Sequence, residues 1–450
     1  MSEEAVISRW VAEQLGAQVQ TITRQARWRA AWLVDAERDG MPLPLMVRGE
    51  RGEDIPMQFP LRHEMTLQKT MGEHGIPVPT VYGWIDDLPA YVMARVDGQP
   101  GFDGLSTDKR DAVMRDYMGT LARLHRLPIE PFAAAGVVRA PTPEGSGRFG
   151  IARFEQVWRY GKKAPNPLVE FVLGWLKRNP VNTRGRESVI VWDSGQMHQF
   201  DGNLVSLLDV EIGHIGDPMM DLAAPRMRDT VLHFGDFAVL YDAYERAGGF
   251  PVDLDAVQLH HIAFTLTNEL AFRNSLNHPA PESDYMTNLH WCSETNLHAI
   301  EALAERLGVD LAPPDIPTVE PSRAAIAHQQ LIDMLKGTEI ADEYAKYRLR
   351  VAFRLARYLQ REDEIGVAST NADLDDLALL LGHRPSTWQQ GDADLEAFVL
   401  ADQGAHDEQL CELFYRRQIR HKGALGPPGS AMAAHHACQP FPSIGNAATT

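Results

Sequence analysis

Two aspartates in the middle of the sequence each follow a short apolar run. Residues 189–192 lead into Asp193, and residues 204–208 lead into Asp209. Runs of this length bounded by turn residues are typical of buried strands, so we predict a strand, a turn at residues 201–203 and a second strand. The two carboxylates, sixteen positions apart, are then expected side by side at one rim of a small hairpin.

Such a pair of carboxylates could divide the work of a phosphoryl transfer. One would accept a proton from a hydroxyl, and the other would hold a divalent cation on a phosphate. The spacing alone leaves a second interpretation open, in which these are two solvated loop aspartates without a common role.

A longer pattern around the two acids carries a family resemblance. Asp209 begins the triplet Asp-Val-Glu that ends at Glu211, and residues 216–222 read Gly-Asp-Pro-Met-Met-Asp-Leu. The segment resembles the catalytic segment of the aminoglycoside phosphotransferase and choline kinase-like family, whose closing motif it matches in full. The resemblance implies an α+β, protein kinase-like two-lobe fold, with Asp193 as the catalytic aspartate and Asp209 as a metal ligand.

The start of the segment departs from the family pattern. Val191 and Trp192 occupy the places of the family's His and Gly, and His198 occupies the place of its metal-binding Asn. A neutral imidazole is a poor ligand for Mg²⁺, which prefers oxygen donors. Gln196, which carries an amide oxygen, is therefore a second candidate for the ligand beside Asp209.

Residues 1–97 are predicted to form a helix and a small antiparallel sheet, because alternating apolar runs are separated by turn residues. The resemblance implies that this is the nucleotide-binding lobe. In it, Arg48 would pair with the nucleotide phosphates, Glu64 would hold Arg48 in place, and backbone groups from Met93 to Arg95 would bind adenine.

The first hairpin turn of that lobe would cover the phosphates in the resembling family. Here it reads Gln-Ala-Arg-Trp-Arg and has no glycine, so it cannot act as a plain backbone cradle. Arg27 and Arg29 could replace the cradle through guanidinium contacts with phosphate. The alternative is that both are exposed hairpin arginines.

Residues 98–317 are predicted to form a helical catalytic and substrate lobe. A helix is predicted over residues 107–127, and we expect His125 near its end to make a structural bond to a neighbouring loop. Helices over residues 219–224, 234–247, 257–277 and 286–307 would build the substrate pocket, for which Glu269, Arg273 and His290 are unranked candidates.

The last third of the chain lies beyond the resemblance. Residues 318–422 are predicted to form an appended helical region that either caps the pocket or forms a homodimer face. Residues 423–450 are rich in Gly, Ala, Ser and Pro and are predicted to be a disordered tail. His435, His436 and Cys438 in that tail could alternatively chelate a metal.

Composition excludes several other classes of function. A net charge of −18 and a pI near 5.4 argue against nucleic acid or an anionic membrane as the main partner. Three cysteines without a Cys-x-x-Cys pair indicate neither a disulfide framework nor a zinc site. The first residues lack the cationic and apolar pattern of a signal peptide, so the cytoplasm is the expected compartment.

The sequence therefore predicts an ATP- and Mg²⁺-dependent phosphotransferase acting on a hydroxyl of a small molecule. A pseudokinase-like module that binds a nucleotide or ligand without transfer is the alternative. The phosphate turn without glycine and the missing Asn motivate that alternative.

Overall fold

The computed structural model describes residues 2–27, 29–51, 55–318, 322–426 and 437–441. A small lobe built on an antiparallel sheet is followed by a larger lobe made mainly of helices. The predicted two-lobe α+β fold class is therefore confirmed.

The small lobe begins with an amphipathic helix that ends at Gly16, a glycine in the left-handed conformation (φ 60°). Within the described residues, five strands pair in the order β1-β2-β3-β5-β4, and every pair is antiparallel. The elements are α1 (Glu3–Leu15), β1 (Gln18–Arg24), β2 (Ala31–Arg38), β3 (Met41–Gly49), α2 (Leu61–Glu73), β4 (Val81–Ile85) and β5 (Ala90–Ala94).

The helical lobe follows the crossover at Gly98. Its first helices are α3 (Thr107–His125), α4 (Glu130–Ala135), α5 (Ser146–Gly161) and α6 (Pro167–Arg178). Its later helices are α7 (Met219–Ala223), α8 (Pro225–Leu232), α9 (Phe237–Arg246), α10 (Leu254–Thr265), α11 (Thr267–Asn277) and α12 (Tyr285–Leu307). The single helix predicted over residues 257–277 is in fact two helices.

Short strands precede the two central aspartates, but these strands pair differently from the prediction. The elements are β6 (Gln99–Pro100), β7 (Ser188–Ile190), β8 (Met197–Phe200), β9 (Asn203–Leu207) and β10 (His214–Gly216). β7 pairs with β10, whereas β9 forms its hairpin with β8. The predicted hairpin between the strands before Asp193 and Asp209 is therefore wrong, because β8 lies between them in the sequence and takes up the edge of β9.

The appended helices share the core of the helical lobe. They are α13 (Ala325–Lys336), α14 (Glu343–Leu381), α15 (Trp388–Ala401) and α16 (Asp407–Leu425). Leu374, Leu395 and Phe414 belong to one buried cluster with residues of α6 and α12, and the ring of Phe414 stacks on Phe171 at 5.5 Å between centroids. At its other end α14 reaches the small lobe, where the ring of Tyr344 lies 5.2 Å from the Arg24 guanidinium carbon.

The predicted disordered tail is only partly covered by the structure. Residues 423–425 complete α16, and residues 437–441 lie against the helical lobe. His435 and His436 lie outside the described residues. No helix in the described ranges combines the length and the apolar character needed to cross a membrane.

The residue before Asp193 has a strained backbone that its packing must hold. Trp192 adopts φ +55°, a left-handed conformation that is a clear outlier for a bulky side chain. Its ring is fully buried and makes edge contacts with Phe154 and His214, at 5.5 Å and 5.4 Å between centroids. The ring fits only because Gly150 on α5 carries no Cβ, which would otherwise lie 2.5 Å from Cζ3 of Trp192.

We predict that Gly150→Ala destabilises the fold by about 1–3 kcal/mol through this clash. A matched control is Gly174→Ala in the middle of α6, where the new Cβ would meet only an arginine nitrogen at 3.6 Å. The control should be neutral or stabilise by up to about 1 kcal/mol. Urea unfolding of both variants measures the difference, and equal stability of the two would contradict the packing described for Trp192.

Candidate active site

The loop before Asp193 is held in place by the last acid of the closing motif. Asp221 is fully buried and accepts hydrogen bonds from the backbone N–H of Val191 (3.0 Å) and Trp192 (2.6 Å). His125 Nε2 lies 3.0 Å from the same carboxylate, and the Ser194 hydroxyl donates to the Asp221 carbonyl. His125 therefore has the structural role expected from the sequence.

The other acid of the closing motif, Asp217, is also a structural brace. It accepts hydrogen bonds from the Arg186 guanidinium at 3.1 Å and 3.2 Å and from the Met219 N–H, and it lies 3.2 Å from His260 Nε2. The motif thus fixes α7 beneath the loop, and neither acid is directed at a reacting group.

Asp193 lies at the end of this braced loop with two side-chain partners. Its Oδ2 accepts from Gln196 Nε2 at 2.7 Å, and its Oδ1 accepts from Arg228 Nε at 3.1 Å and from Arg228 Nη2. Burial raises the pKa of Asp193 above its usual value, Arg228 opposes that rise, and the charge of Asp209 adds to it. Asp193 is thus a carboxylate whose proton affinity is increased, as a proton acceptor requires.

Arg228 was missed in the sequence analysis because α8 was not predicted. Pro225 is the first residue of this helix, a common place for proline, and is the one signal that could have revealed it. The contact joins residues 35 positions apart, and no sequence pattern indicates such a pair.

Asp209 is ionised and partly open to solvent. Burial alone would raise its pKa, but Arg48, Arg29 and Arg228 more than offset that effect and hold the pKa well below its usual value. Its Oδ1 accepts from Arg48 Nη2 at 2.5 Å, and its side chain is 24% exposed. Within the described residues its Oδ2 has no hydrogen-bond partner, which leaves one oxygen for a cation.

An ion-pair cluster surrounds Asp209 and joins the two lobes. The predicted pair between Arg48 and Glu64 is present, with Nε and Oε1 2.7 Å apart. Glu211 receives Arg48 at 3.3 Å and also pairs with Arg29 and Arg51. The three arginines and Glu64 belong to the small lobe, whereas Asp209 and Glu211 belong to the helical lobe, so these pairs fix the lobes against each other.

The two arginines of the phosphate turn have different environments. Arg29 is only 1% exposed and bonds to the Gly49 carbonyl and to Glu64, so the prediction of an exposed hairpin arginine is wrong for it. Arg27 is half-buried, and burial together with the charge of Arg48 lowers its pKa. In the described part of the chain the Arg27 guanidinium has no ion pair, so it is free to meet a phosphate.

The two candidates for the second metal ligand are placed differently. His198 on β8 lies against the backbone of Val96 and Asp97, where the lobes connect, and burial lowers its pKa. Gln196 donates its amide nitrogen to Asp193, and among the described residues its side-chain oxygen has no hydrogen-bond partner. This placement argues against His198 as a ligand and favours Gln196.

The predicted adenine contacts are altered by the sheet. The N–H groups of Ala94 and Arg95 donate to the carbonyls of Thr80 (2.8 Å) and Pro44 (3.1 Å), so neither is available to a base. The Met93 side chain is buried in the lobe, and the Arg95 guanidinium pairs with Asp35 at the surface. The backbone carbonyl groups of residues 93–95 remain candidates for binding adenine.

The three unranked pocket candidates are engaged with one another or with the appended helices. Glu269 is buried and pairs with Arg273 at 2.6 Å, and it also accepts from Asn166 and Asn296. His290 lies 2.7 Å from the Met286 carbonyl and 3.3 Å from Arg354 of α14.

The oxygen donors at this site are suited to a metal ion that also binds a phosphate. In the described ranges, no group of three or more His, Cys, Asp or Glu side chains is arranged to hold one. Mg²⁺, however, commonly binds through one or two protein oxygens together with phosphate oxygens and water. The free Oδ2 of Asp209 and the amide oxygen of Gln196 fit a Mg²⁺ ion shared with a bound phosphate.

Comparison with known proteins gives a family and several distant relatives. Residues 60–260 match the model of the phosphotransferase enzyme family APH. Human acyl-CoA dehydrogenase family member 11 is 28% identical over 189 residues, which are 38% of this chain and 23% of that protein. Mouse acyl-CoA dehydrogenase family member 10 is 25% identical over 193 residues, covering 38% and 17%. The chain thus spans about a fifth of the length of these relatives.

Two solved structures were also compared with this one. Macrolide 2'-phosphotransferase MphH from Brachybacterium faecium shares 18% identity and a TM-score of 0.44, covering 63% of this chain and 96% of its own. Choline kinase LicA from Streptococcus pneumoniae shares 15% identity and a TM-score of 0.45, covering 65% and 96%. These identities are too low to transfer a substrate. The match of residues 60–260 to the phosphotransferase enzyme family model confirms the resemblance found in the motifs.

Proposed function

We propose that this protein transfers the γ-phosphate of ATP to a hydroxyl group of a small molecule. The observation that carries the proposal is that two interacting acids have pKa values shifted in opposite directions. Asp193 has a raised pKa and is held by Arg228, whereas Asp209 has a lowered pKa and faces Arg48. Two titratable groups whose environments separate their pKa values are typical of divided acid-base and metal-binding roles.

Asp193 would orient the acceptor hydroxyl and take its proton as the phosphoryl group arrives. The loop brace by Asp221 keeps this carboxylate at a fixed position, and positioning supplies much of the catalysis in phosphoryl transfer. Arg228 would keep Asp193 ionised at neutral pH, since its charge opposes the effect of burial.

The arginine cluster would supply the charge that phosphates require. Arg48 lies beside Asp209 and would contact the nucleotide phosphates, and Arg27 would approach them from the turn. Asp209 and Gln196 would hold a Mg²⁺ ion, which would offset the negative charge of the phosphates.

A second candidate function is nucleotide binding without transfer. The phosphate turn lacks glycine, and Glu211 is occupied by three arginines in this structure. A protein of this kind would bind ATP but leave the phosphate on the nucleotide. A mass-spectrometric screen of choline, amino alcohols, sugars and hydroxyacyl thioesters would then detect no phosphorylated product. A transferase would instead yield a product heavier than its acceptor by about 80 Da, the mass of one phosphoryl group.

For Asp193→Asn we predict a loss of phosphoryl transfer of at least about 10²-fold, because the amide cannot accept the proton. Binding of Mg-ATP, measured as a thermal shift, should persist. The matched control is Asp201→Asn, which changes an exposed aspartate in the β8–β9 turn and should leave the rate unchanged. A rate for Asp193→Asn within a few-fold of the wild type would contradict the assigned role.

For Asp209→Asn we predict that Mg²⁺ no longer strengthens ATP binding. The wild-type melting temperature should rise when Mg-ATP is added, because a ligand that binds only the native state stabilises it. The variant should respond equally to ATP with Mg²⁺ and ATP with EDTA. Asp35→Asn, at the surface of the small lobe, is the control. Retention of the full Mg²⁺-dependent shift would exclude Asp209 as the ligand.

For Arg228→Met we predict that the acid limb of the kcat/KM profile moves to higher pH by about one pH unit. Arg228 lowers the pKa of Asp193, so its removal raises that pKa, and the reactive carboxylate is lost at a higher pH. Arg246→Met, an exposed cation on α9, is the control and should leave the profile unchanged. An unchanged acid limb in Arg228→Met would show that Asp193 does not set it.

A further inference from the structure

Residues 437–441, here called the C-terminal strap, lie on helix α8. Gln439 makes the central contacts: its side-chain nitrogen donates to Asp229 Oδ2 at 2.7 Å and to the Gly235 carbonyl at 2.8 Å. Its own carbonyl accepts from Arg226 Nη2 at 2.5 Å. One residue of the strap therefore holds both ends of the segment from Arg226 to Gly235.

Phe441 closes the strap over the same arginine. Its ring lies 3.7 Å from the guanidinium carbon of Arg226, and its N–H donates to Glu305 Oε1 on α12 at 2.8 Å. Arg226 is only 1% exposed and pairs with Glu305 at 3.2 Å. The strap thus covers a buried cation and links α8 to α12.

The segment held by the strap also contacts the catalytic loop. Arg228, two residues after Arg226, bonds to Asp193. Asp229 uses its second oxygen to accept the Phe234 N–H at 2.6 Å. The Phe234 ring packs so closely on Gly195 that a Cβ there would lie 3.1 Å from it and 3.1 Å from the Arg228 side chain.

These contacts form a continuous path from the strap to the candidate catalytic aspartate. Gln439 contacts Asp229 and Gly235, these residues flank Phe234, and Phe234 together with Arg228 packs on the loop that carries Asp193. The strap has five residues and makes both side-chain and backbone hydrogen bonds, so specific contacts hold it on the helical lobe.

We propose that the C-terminal strap is a positioning element of the active site, in which Gln439 and Phe441 hold α8 so that Arg228 stays on Asp193. This proposal rests on the proposed phosphotransferase function. Among the described residues, the contacts of Gln439 and Phe441 are with Arg226, Asp229, Gly235 and Glu305 and not with the arginine cluster that would bind phosphates. The strap should therefore affect the transfer step and leave nucleotide binding unchanged.

The test compares Gln439→Ala and Phe441→Ala with two matched controls in the full-length protein. Phe441→Tyr keeps an aromatic ring over Arg226, and a chain ending after Phe441 keeps the whole strap. We expect kcat to fall by about tenfold in the two alanine variants, since small misplacements of a catalytic group have large effects on rate. KM for ATP should stay within about twofold of the wild type, and both controls should retain wild-type kcat.

Hydrogen exchange supplies a readout that does not depend on turnover. Amides of residues 226–235 should exchange faster in Gln439→Ala than in the wild type, whereas those of α6 should not change. Unchanged exchange in residues 226–235 would overturn the proposal, as would an unchanged kcat in an active enzyme or an equal loss of kcat in Phe441→Tyr. If the wild type shows no transfer at all, the proposed function fails, and the exchange data alone then decide whether the strap holds α8.

Discussion

The ion pairs of Arg48 are the interaction on which the rest of the site depends. This side chain pairs with Glu64 of its own lobe and with Asp209 and Glu211 of the helical lobe, at distances of 2.5–3.3 Å. Taking such charges out of water is costly, and only complete pairing offsets that cost. The same pairing brings a cation and an ionised acid together where the two lobes meet, as a phosphate with its metal ion would require.

Packing and hydrogen bonds hold the loop before Asp193 in a strained conformation. Trp192 and Asp209 both adopt φ near +55°, which is unfavourable for residues with side chains. Asp221 accepts a hydrogen bond from the N–H of Trp192, and the Trp192 ring packs against Gly150, where a Cβ would clash with it. The resembling family has glycine at this position, and glycine adopts a positive φ without strain, whereas the Trp192 side chain must be buried for this φ to be tolerated.

Features that come with the family resemblance could be predicted from the sequence. The structural bond made by His125 and the pair between Arg48 and Glu64 were expected from that resemblance, which is carried by short motifs such as the one ending at Asp221. The number and pairing of three- to five-residue strands could not be predicted, because such short runs carry little periodicity and β8 (Met197–Phe200) is half polar.

Contacts between distant segments were also out of reach. Arg29 is buried because Glu64 and Glu211, 35 and 182 positions away, converge on it. A turn sequence gives no sign of such partners. The composition of residues 423–450 predicts disorder, yet Gln439 and Phe441 have specific partners on α8 and α12. Composition measures the average tendency of a segment, whereas a few directed bonds can hold five of its residues.

The most direct test is a crystal structure of the protein with Mn²⁺ and a non-hydrolysable ATP analogue, with the metal located by anomalous scattering. We predict one metal peak within about 2.2 Å of Asp209 Oδ2, with phosphate oxygens as its other ligands. Arg48 should contact the phosphates, and Asp193 should face the terminal phosphate. A metal bound elsewhere, or a nucleotide bound away from Arg48 and Asp209, would contradict this prediction.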